Sequence, residues 1–270
     1  NLCPKQMKHL RISLLEILFV IGIIITAIFL AKYPTLHNYL NTPSGYWYIG
    51  HTSWFDSWDI QVYFANMRYA ERAGVLLQNT YTTISHKGVF IYQFYTLQGL
   101  LNRLLHLPTP LLFHLSSIIV NTGLIITCYA IARMFFKNTF IRLSSFTVMV
   151  LGGGLGWIPF FQSTSGDVVA AGFTLVNAFE RGHDALTTLL LLASTSLFIS
   201  FTIKRNKRYL IGAIIAGFLQ TTIHPPFIIL YLAVGLLIGM WELFRNRRKE
   251  VLAYPFGISL LLFIYYLLVL

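Results

Sequence analysis

Apolar runs of about twenty residues recur along the whole of the 270-residue chain. A run of that length forms a helix that can cross a hydrocarbon layer of about 30 Å. Hydrophobic residues make up 56% of the sequence and charged residues 11%, against about 45–50% and about 25% in soluble domains. The sequence therefore predicts an all-α, polytopic membrane protein and excludes a water-soluble globular domain.

Seven apolar runs predict about seven transmembrane helices in a single transmembrane domain that comprises residues 1–270. They cover roughly residues 12–31, 111–132, 143–161, 185–203, 209–223, 226–241 and 251–270. Between the fifth and sixth runs, Pro225 and Pro226 predict a hairpin, because proline removes a backbone donor and disfavours helix in the residue before it. The chain starts without methionine and stops within an apolar run, so we expect it to be part of a longer protein.

The basic residues orient these predicted spans. Lysine and arginine cluster in the short links that would then face the cytoplasm, so we expect a plasma-membrane protein with a cytoplasmic N-terminus. Residues 32–110 form the first external loop and residues 162–184 the second. The net charge of +11 is accounted for by this membrane orientation, and nucleic acid is not an expected partner.

The acidic residues show the opposite distribution. Carboxylates contribute little to topology, so their position outside indicates either solvation of the loops or chemistry on the outer face. Six of the nine lie in predicted external segments: Asp56, Asp59, Glu71, Asp167, Glu180 and Asp184.

The first external loop is far longer than a helix–helix connection requires, and it is too aromatic to remain unfolded. Its apolar residues Ile60, Tyr63, Phe64 and Met67 follow helical spacing, which predicts a short amphipathic helix that ends near Gly74. A second amphipathic helix is predicted from about Phe90 to Leu105. We expect both helices to lie at the membrane interface.

Asp56 and Asp59 stand at the start of the first amphipathic helix, and their position allows two interpretations. A carboxylate there caps free backbone donors and is stabilised by the helix dipole. It would also be available for catalysis at the headgroup level of the membrane. The residues alone leave both readings open.

The order of motifs over about residues 12–245 resembles the glycosyltransferase C superfamily of membrane enzymes, in its prokaryotic branch. One span is followed by a large external loop with an Asp-x-x-x-Tyr helix. The matching motifs are Asp59-Ile60-Gln61-Val62-Tyr63, then Gly74, Tyr81-Thr82-Thr83, the helix Phe90 to Leu105 with Gly99 and Arg103, Gly152 to Trp157, and Glu180-Arg181-Gly182-His183.

This resemblance implies an inverting glycosyltransferase that uses a polyprenyl-phosphate-linked sugar as donor and an unknown glycan, lipid or protein as acceptor. An aspartate of the first loop would be the general base. Members commonly carry two adjacent acids there, whereas Ser57 and Trp58 separate the two aspartates here, so the base is Asp59 or Asp56, and we expect Asp59. Among possible substrate-binding residues, Tyr63 lies on the same helix as Asp59.

The leaving phosphate requires positive charge or hydrogen-bond donors, and the external candidates are Arg103, Arg181, His183 and His86. Arg103 could instead snorkel to the interface. Glu180 and His183 are spaced i, i+3, which fits either a metal site or a polar network that lines the substrate site. We expect the polar network; no cofactor is predicted, and a divalent metal remains an open alternative.

Two other classes of function stay open. A transporter or flippase for lipid-linked glycans predicts ionisable residues within the spans, where Glu16 and His114 are the ones that qualify. A non-catalytic scaffold of the same fold is the other alternative.

Overall fold

The computed structural model describes residues 13–52, 57–78, 82–85, 87–152, 181–246 and 248–269. Within these ranges the protein is all-helical, and one isolated antiparallel bridge joins Leu77 to Val89. Its helices are α1 (Leu14–Leu40), α2 (Ser57–Ala73), α3 (Gln93–Leu105), α4 (Thr109–Phe135), α5 (Thr139–Leu151), α6 (Gly182–Lys204), α7 (Lys207–Ile223), α8 (Ile228–Asn246) and α9 (Ala253–Val269). Short 3₁₀ turns at Pro225–Phe227 and Lys249–Leu252 lead into α8 and α9.

Five helical stretches of the described chain are long and apolar enough to cross a membrane. They are α1, α4, α6, Pro225–Arg245 and Lys249–Val269. The helices α5 and α7 have 13 and 17 residues, so α7 is about 25 Å long. The structure thus confirms a helical membrane protein, and it does not confirm the predicted number of seven spans.

Side-chain caps begin three of the helices. Ser13, Asn138 and Asn206 each accept a hydrogen bond from a backbone N–H in the first turn of α1, α5 and α7, respectively. Such caps satisfy donors that have no partner within the helix. All three lie in the segments that the charge pattern assigns to the cytoplasmic side.

The helix α1 continues nine residues beyond the predicted end of the first span and includes Pro34. Aromatic rings at i, i+4 spacing lie one above another in this extension: Phe29 is 5.2 Å from Tyr33, and Tyr33 is 5.8 Å from His37, between ring centroids. These contacts stabilise the helix across the proline. The segment that follows the first span is therefore helical up to Leu40.

The helix α2 packs on protein through the face that its sequence period predicted. Its residues Ile60, Tyr63, Phe64 and Met67 are almost fully buried against α3 and α4. A Cβ atom at Gly99 of α3 would collide with the Met67 carbonyl, so only glycine allows α2 and α3 to approach this closely. After Ala73 the chain leaves the helix at Gly74, whose φ of +109° suits glycine.

Two further apolar clusters hold the spans together. One joins α1, α4 and α5 around Leu124, Cys128 and Phe146, with Ala185 of α6 at its edge. The other joins α6, α7, α8 and α9 around Phe198 and Tyr254. Because α6 belongs to both clusters, its N-terminal end is held in a fixed position beside α3 and α4.

Candidate functional site

Charged and polar side chains converge where α6 begins and α7 ends. These two helices are joined by a tight turn at residues 205–206 and run antiparallel, which brings the start of α6 next to the end of α7. Arg181, His183 and Asp184 come from the start of α6, and His224 follows α7 directly before Pro225. We call these four residues the Asp184 cluster.

Asp184 is the centre of this cluster. Its side chain is 7% exposed, and its Oδ1 lies 3.3 Å from His183 Nε2 and 3.3 Å from His224 Nε2. Its second oxygen, Oδ2, lies 3.7 Å from a terminal nitrogen of Arg181. The imidazole rings of His183 and His224 are nearly parallel, with centroids 5.8 Å apart.

Two tyrosines support the cluster from α2 and α3. The hydroxyl group of Tyr95 and Nδ1 of His183 are 2.8 Å apart and share a hydrogen bond. The Tyr63 ring stacks on Tyr95 at 4.2 Å and meets the His183 ring edge to face at 5.2 Å. The orientation of the His183 imidazole is thus determined by both helices.

Gly182 allows this approach. A Cβ atom at this position would lie 2.8 Å from a ring carbon of Phe94 and 3.4 Å from the backbone of Ser117. The start of α6 can therefore pack against α3 and α4 only because residue 182 has no side chain.

Asp59, in the first turn of α2, lies near enough to the Asp184 cluster to influence it electrostatically. Burial raises the pKa of Tyr63 well above its usual value, and the nearby carboxylates of Asp59 and Asp184 raise it further. Burial also raises the pKa of Tyr95, with contributions from the same two carboxylates. Both phenols therefore stay protonated, and the Asp59 carboxylate contributes to the electrostatic environment of Tyr63 and Tyr95.

The Asp59 carboxylate is half-buried, and it makes no hydrogen bond or ion pair with another described residue. The carboxylate of Asp184, in contrast, is engaged by two histidines and an arginine. Of the two, Asp59 is the carboxylate that is available to accept a proton from a bound molecule.

A cavity of about 460 Å³ opens beside His183 and His224. Its walls come from the segment before α3, from the end of α7 and from the end of α9. They are mostly aromatic and aliphatic, with Tyr92, Tyr95 and Tyr265 among them. Gln93 donates a hydrogen bond of 2.7 Å to the Tyr265 hydroxyl group, which in turn donates to the Phe90 carbonyl at 3.2 Å and ties α9 to this wall.

Four of the sequence-predicted site residues are thus brought together: Asp59, Tyr63, Arg181 and His183. Arg103 lies elsewhere, since its guanidinium donates to the backbone carbonyls of Ala70 and Glu71 at 2.8 and 2.7 Å. That contact is about 16 Å from Asp59 along α2, and it satisfies carbonyls at the end of the helix. Asp56, His86 and Glu180 lie outside the described residues.

Sequence reasoning did not place three members of this site: Tyr95, Asp184 and His224. Tyr95 lies in the second predicted amphipathic helix, Phe90 to Leu105, for which no site residue other than Arg103 was predicted. The signal for the other two was topological, because an external hairpin at Pro225 puts His224 on the side where α6 begins. Which side chains meet there depends on how α6 and α7 pack, and no local spacing encodes that.

Comparisons with protein-family models, with curated proteins and with solved structures find no match for this chain.

Proposed function

We propose that this protein is a membrane glycosyltransferase that transfers a sugar from a polyprenyl-phosphate-linked donor to an acceptor hydroxyl group. The observation that carries the proposal is the Asp184 cluster, whose His183 and His224 line the aromatic cavity, with the Asp59 carboxylate near enough to act electrostatically on Tyr63 and His183. A carboxylate that makes no hydrogen bond or ion pair with another described residue, near cationic and imidazole donors, is the arrangement that such a reaction needs.

In this reaction the acceptor oxygen attacks the anomeric carbon while the bond from that carbon to the phosphate oxygen breaks. The acceptor proton passes to Asp59, and the bond electrons leave with the polyprenyl phosphate. Attack opposite the leaving group inverts the anomeric centre. Asp59 is the general base, and a positioned base contributes about 10²–10⁴-fold to rate.

The leaving phosphate gains negative charge as the bond breaks, and Arg181 and His224 are the residues that would stabilise it. Arg181 is about a quarter exposed, and its guanidinium places a permanent positive charge beside Asp184. His224 is 36% exposed on the cavity wall. Both can reach a phosphate that lies at the membrane surface.

The cavity has a volume within the usual range of small-ligand sites, about 300–1,000 Å³. Its aromatic walls suit the apolar faces of a sugar ring and the first isoprene units of the donor. Tyr63 and Tyr95 remain neutral, so they position His183 without adding negative charge near the phosphate.

The proposal includes the topology that the charges predict: seven crossings, a cytoplasmic N-terminus, and α2, α3 and the Asp184 cluster on the external side. The short helix α7 then crosses the membrane as one arm of the hairpin that turns at Pro225. A single cysteine at Thr52, tested with a membrane-impermeant thiol reagent on intact cells, should be labelled from outside. Labelling only after lysis would contradict this orientation.

The test of function compares sugar transfer by the complete reading frame in membranes that are supplied with a panel of labelled polyprenyl-phosphate sugars. We expect Asp59→Asn to reduce transfer at least 100-fold at equal protein level. Glu71→Gln is the matched control, because Glu71 is an acid on the same helix whose carboxylate only accepts from Asn102 at 3.1 Å. If wild type transfers label from no donor, the proposal is wrong, and a transporter or scaffold would take its place.

A further inference from the structure

His183, Asp184 and His224 also have the composition and spacing of a metal site. The candidate ligand atoms of these three residues, one from each, all lie within 4.8 Å of one another. Ligands at about 2.0–2.1 Å from a tetrahedral ion lie about 3.3–3.4 Å from each other. Asp184 Oδ1 is 3.3 Å from both Nε2 atoms, so two edges of such a tetrahedron are already present.

We propose that these three side chains bind a divalent transition-metal ion of the Zn²⁺ class. Two imidazoles and one carboxylate suit Zn²⁺ and related ions, whereas Mg²⁺ and Ca²⁺ prefer sites built from oxygen alone. The inference concerns binding first, and it does not depend on the proposed sugar transfer.

The surroundings of the ligands match those of metal-binding histidines in general. A ligating histidine usually donates its other ring N–H to an oxygen, which holds the ring in position. His183 has this arrangement, because its Nδ1 faces the Tyr95 hydroxyl group at 2.8 Å while its Nε2 points to Asp184. Tyr95 is therefore a positioning residue for the site.

Arg181 occupies the other side of the Asp184 carboxylate. Its contact is to Oδ2, which leaves Oδ1 directed at the two histidines. One carboxylate oxygen thus serves the arginine and the other is available to the ion.

Three protein ligands leave a fourth position for a water molecule or a substrate oxygen, as in catalytic rather than structural zinc sites. Both histidines line the cavity, so this position lies within reach of a bound molecule. If the proposed function holds, the ion would accept an oxygen of the donor's phosphate and stabilise its charge as it leaves. That role rests on the proposed function.

The experiment measures Zn²⁺ binding to the full chain, purified in detergent with an affinity tag that lacks histidine, stripped with a chelator and dialysed against Zn²⁺. We expect about one ion per chain for wild type and at least tenfold weaker binding for His224→Ala. Co²⁺ should give the visible absorption of a tetrahedral site in wild type only. His106→Asn removes an exposed histidine elsewhere and should bind as wild type does.

A second variant distinguishes loss of the metal site from loss of the fold. Tyr95→Phe keeps the ring that stacks on Tyr63 and removes only the hydroxyl group that holds His183, so the fold should persist while Zn²⁺ affinity falls about 10-fold or more. Equal binding by wild type and His224→Ala, or no ion in wild type, would overturn the inference. Sugar transfer by a chain that binds no ion would contradict the metal site and leave the proposed function intact. Zn²⁺ binding without sugar transfer would support the metal site and contradict the proposed function.

Discussion

The protein has two sets of buried charged residues, the Glu16–Arg142 pair and the Asp184 cluster. They differ in how short their polar contacts are and in how far they are exposed. At the start of α1, Glu16 and Arg142 of α5 are 2% and 3% exposed and form an ion pair. Glu16 also accepts from the Tyr129 hydroxyl group at 2.6 Å, and Arg142 donates to the carbonyls of Phe136 and Lys137 and to Thr139. The Asp184 cluster has longer contacts of 3.3–3.7 Å, histidines that are 15% and 36% exposed, and an adjoining cavity.

This difference is the one that we expect between a structural ion pair and the proposed functional site. The Glu16–Arg142 pair is almost fully buried and is bonded to surrounding protein groups, so it is closed to a ligand, and it joins α1 to α5. The Asp184 cluster places both of its histidines on the wall of a cavity, although Asp184 itself is buried. Polar groups that are costly to place in a membrane protein and that line a cavity are candidates for a functional site.

The largest effect is expected from breaking the structural pair. Glu16→Ala leaves the Arg142 charge buried without its partner, which should lower the free energy of unfolding by about 3–5 kcal/mol. Replacing both residues by leucine should recover most of this loss, because no unpaired charge remains. Thermal unfolding in detergent measures both variants, and wild-type stability in Glu16→Ala would show that the pair is not structural.

Removal of the central charge of the Asp184 cluster should reduce activity, whereas removal of the Glu16 charge should reduce stability. Asp184→Asn keeps the side-chain shape and removes the charge that holds both histidines and Arg181. Its unfolding temperature should stay close to wild type, while sugar transfer falls at least 100-fold, which corresponds to about 2.7 kcal/mol in the activation free energy. A large loss of stability in Asp184→Asn, with unchanged sugar transfer per folded molecule, would show that the Asp184 cluster is structural and not functional.

A smaller effect should follow from the close contact that forms the site. Gly182→Ala places a methyl group 2.8 Å from the Phe94 ring, which should cost about 1–3 kcal/mol of unfolding free energy and move His183 away from Tyr95. The matched control is Gly22→Ala in α1, where a Cβ atom meets nothing within 4 Å. Transfer rates and unfolding curves of the two variants check this, and equal behaviour would contradict the close packing.

The smallest effect concerns His51, which lies outside the spans and next to His114. It is buried, its ring nitrogens have no hydrogen-bond partner among the described residues, and desolvation lowers its pKa below 6.5. The unfolded state then takes up the proton first, so stability is fully present above about pH 6.5 and is lost as the pH falls below it. The free energy of unfolding falls by at most about 1.4 kcal/mol per pH unit from this one group.

Unfolding of wild type and His51→Phe between pH 7.5 and 5.5 isolates this contribution, since every other titrating group is common to both proteins. We expect a shallower acid slope in His51→Phe. Identical slopes would mean that His51 is not desolvated in the folded protein.

The sequence was informative wherever a period or a single residue type determines the local structure. Helical spacing predicted the buried face of α2, and Pro225 and Pro226 predicted the break between α7 and α8. The helical continuation of α1 past Pro34 was missed, because the contacts among the Phe29, Tyr33 and His37 rings there are not visible in a span defined by hydropathy. Arg103 was predicted at the site, but its partners on α2 are tertiary contacts that its own spacing does not reveal.

The site itself was only partly predictable for the same reason. Asp59, Tyr63, Arg181 and His183 stood out by their motifs, whereas Asp184 and His224 matter because two antiparallel helices end side by side. Their pairing depends on the packing of α6 against α7 and on Gly182, which is a small residue with no chemical signature. Long-range contacts of this kind are specified by the whole fold.

The central claim is that Asp59 and the Asp184 cluster form one catalytic site. The most direct measurement is a double-mutant cycle of sugar-transfer rates for wild type, Asp59→Asn, Asp184→Asn and the double variant at equal protein level. Residues that act in one site are strongly non-additive, so the double variant should be no slower than the slower single variant to within about threefold. Losses that multiply, or full transfer by either single variant, would contradict the claim.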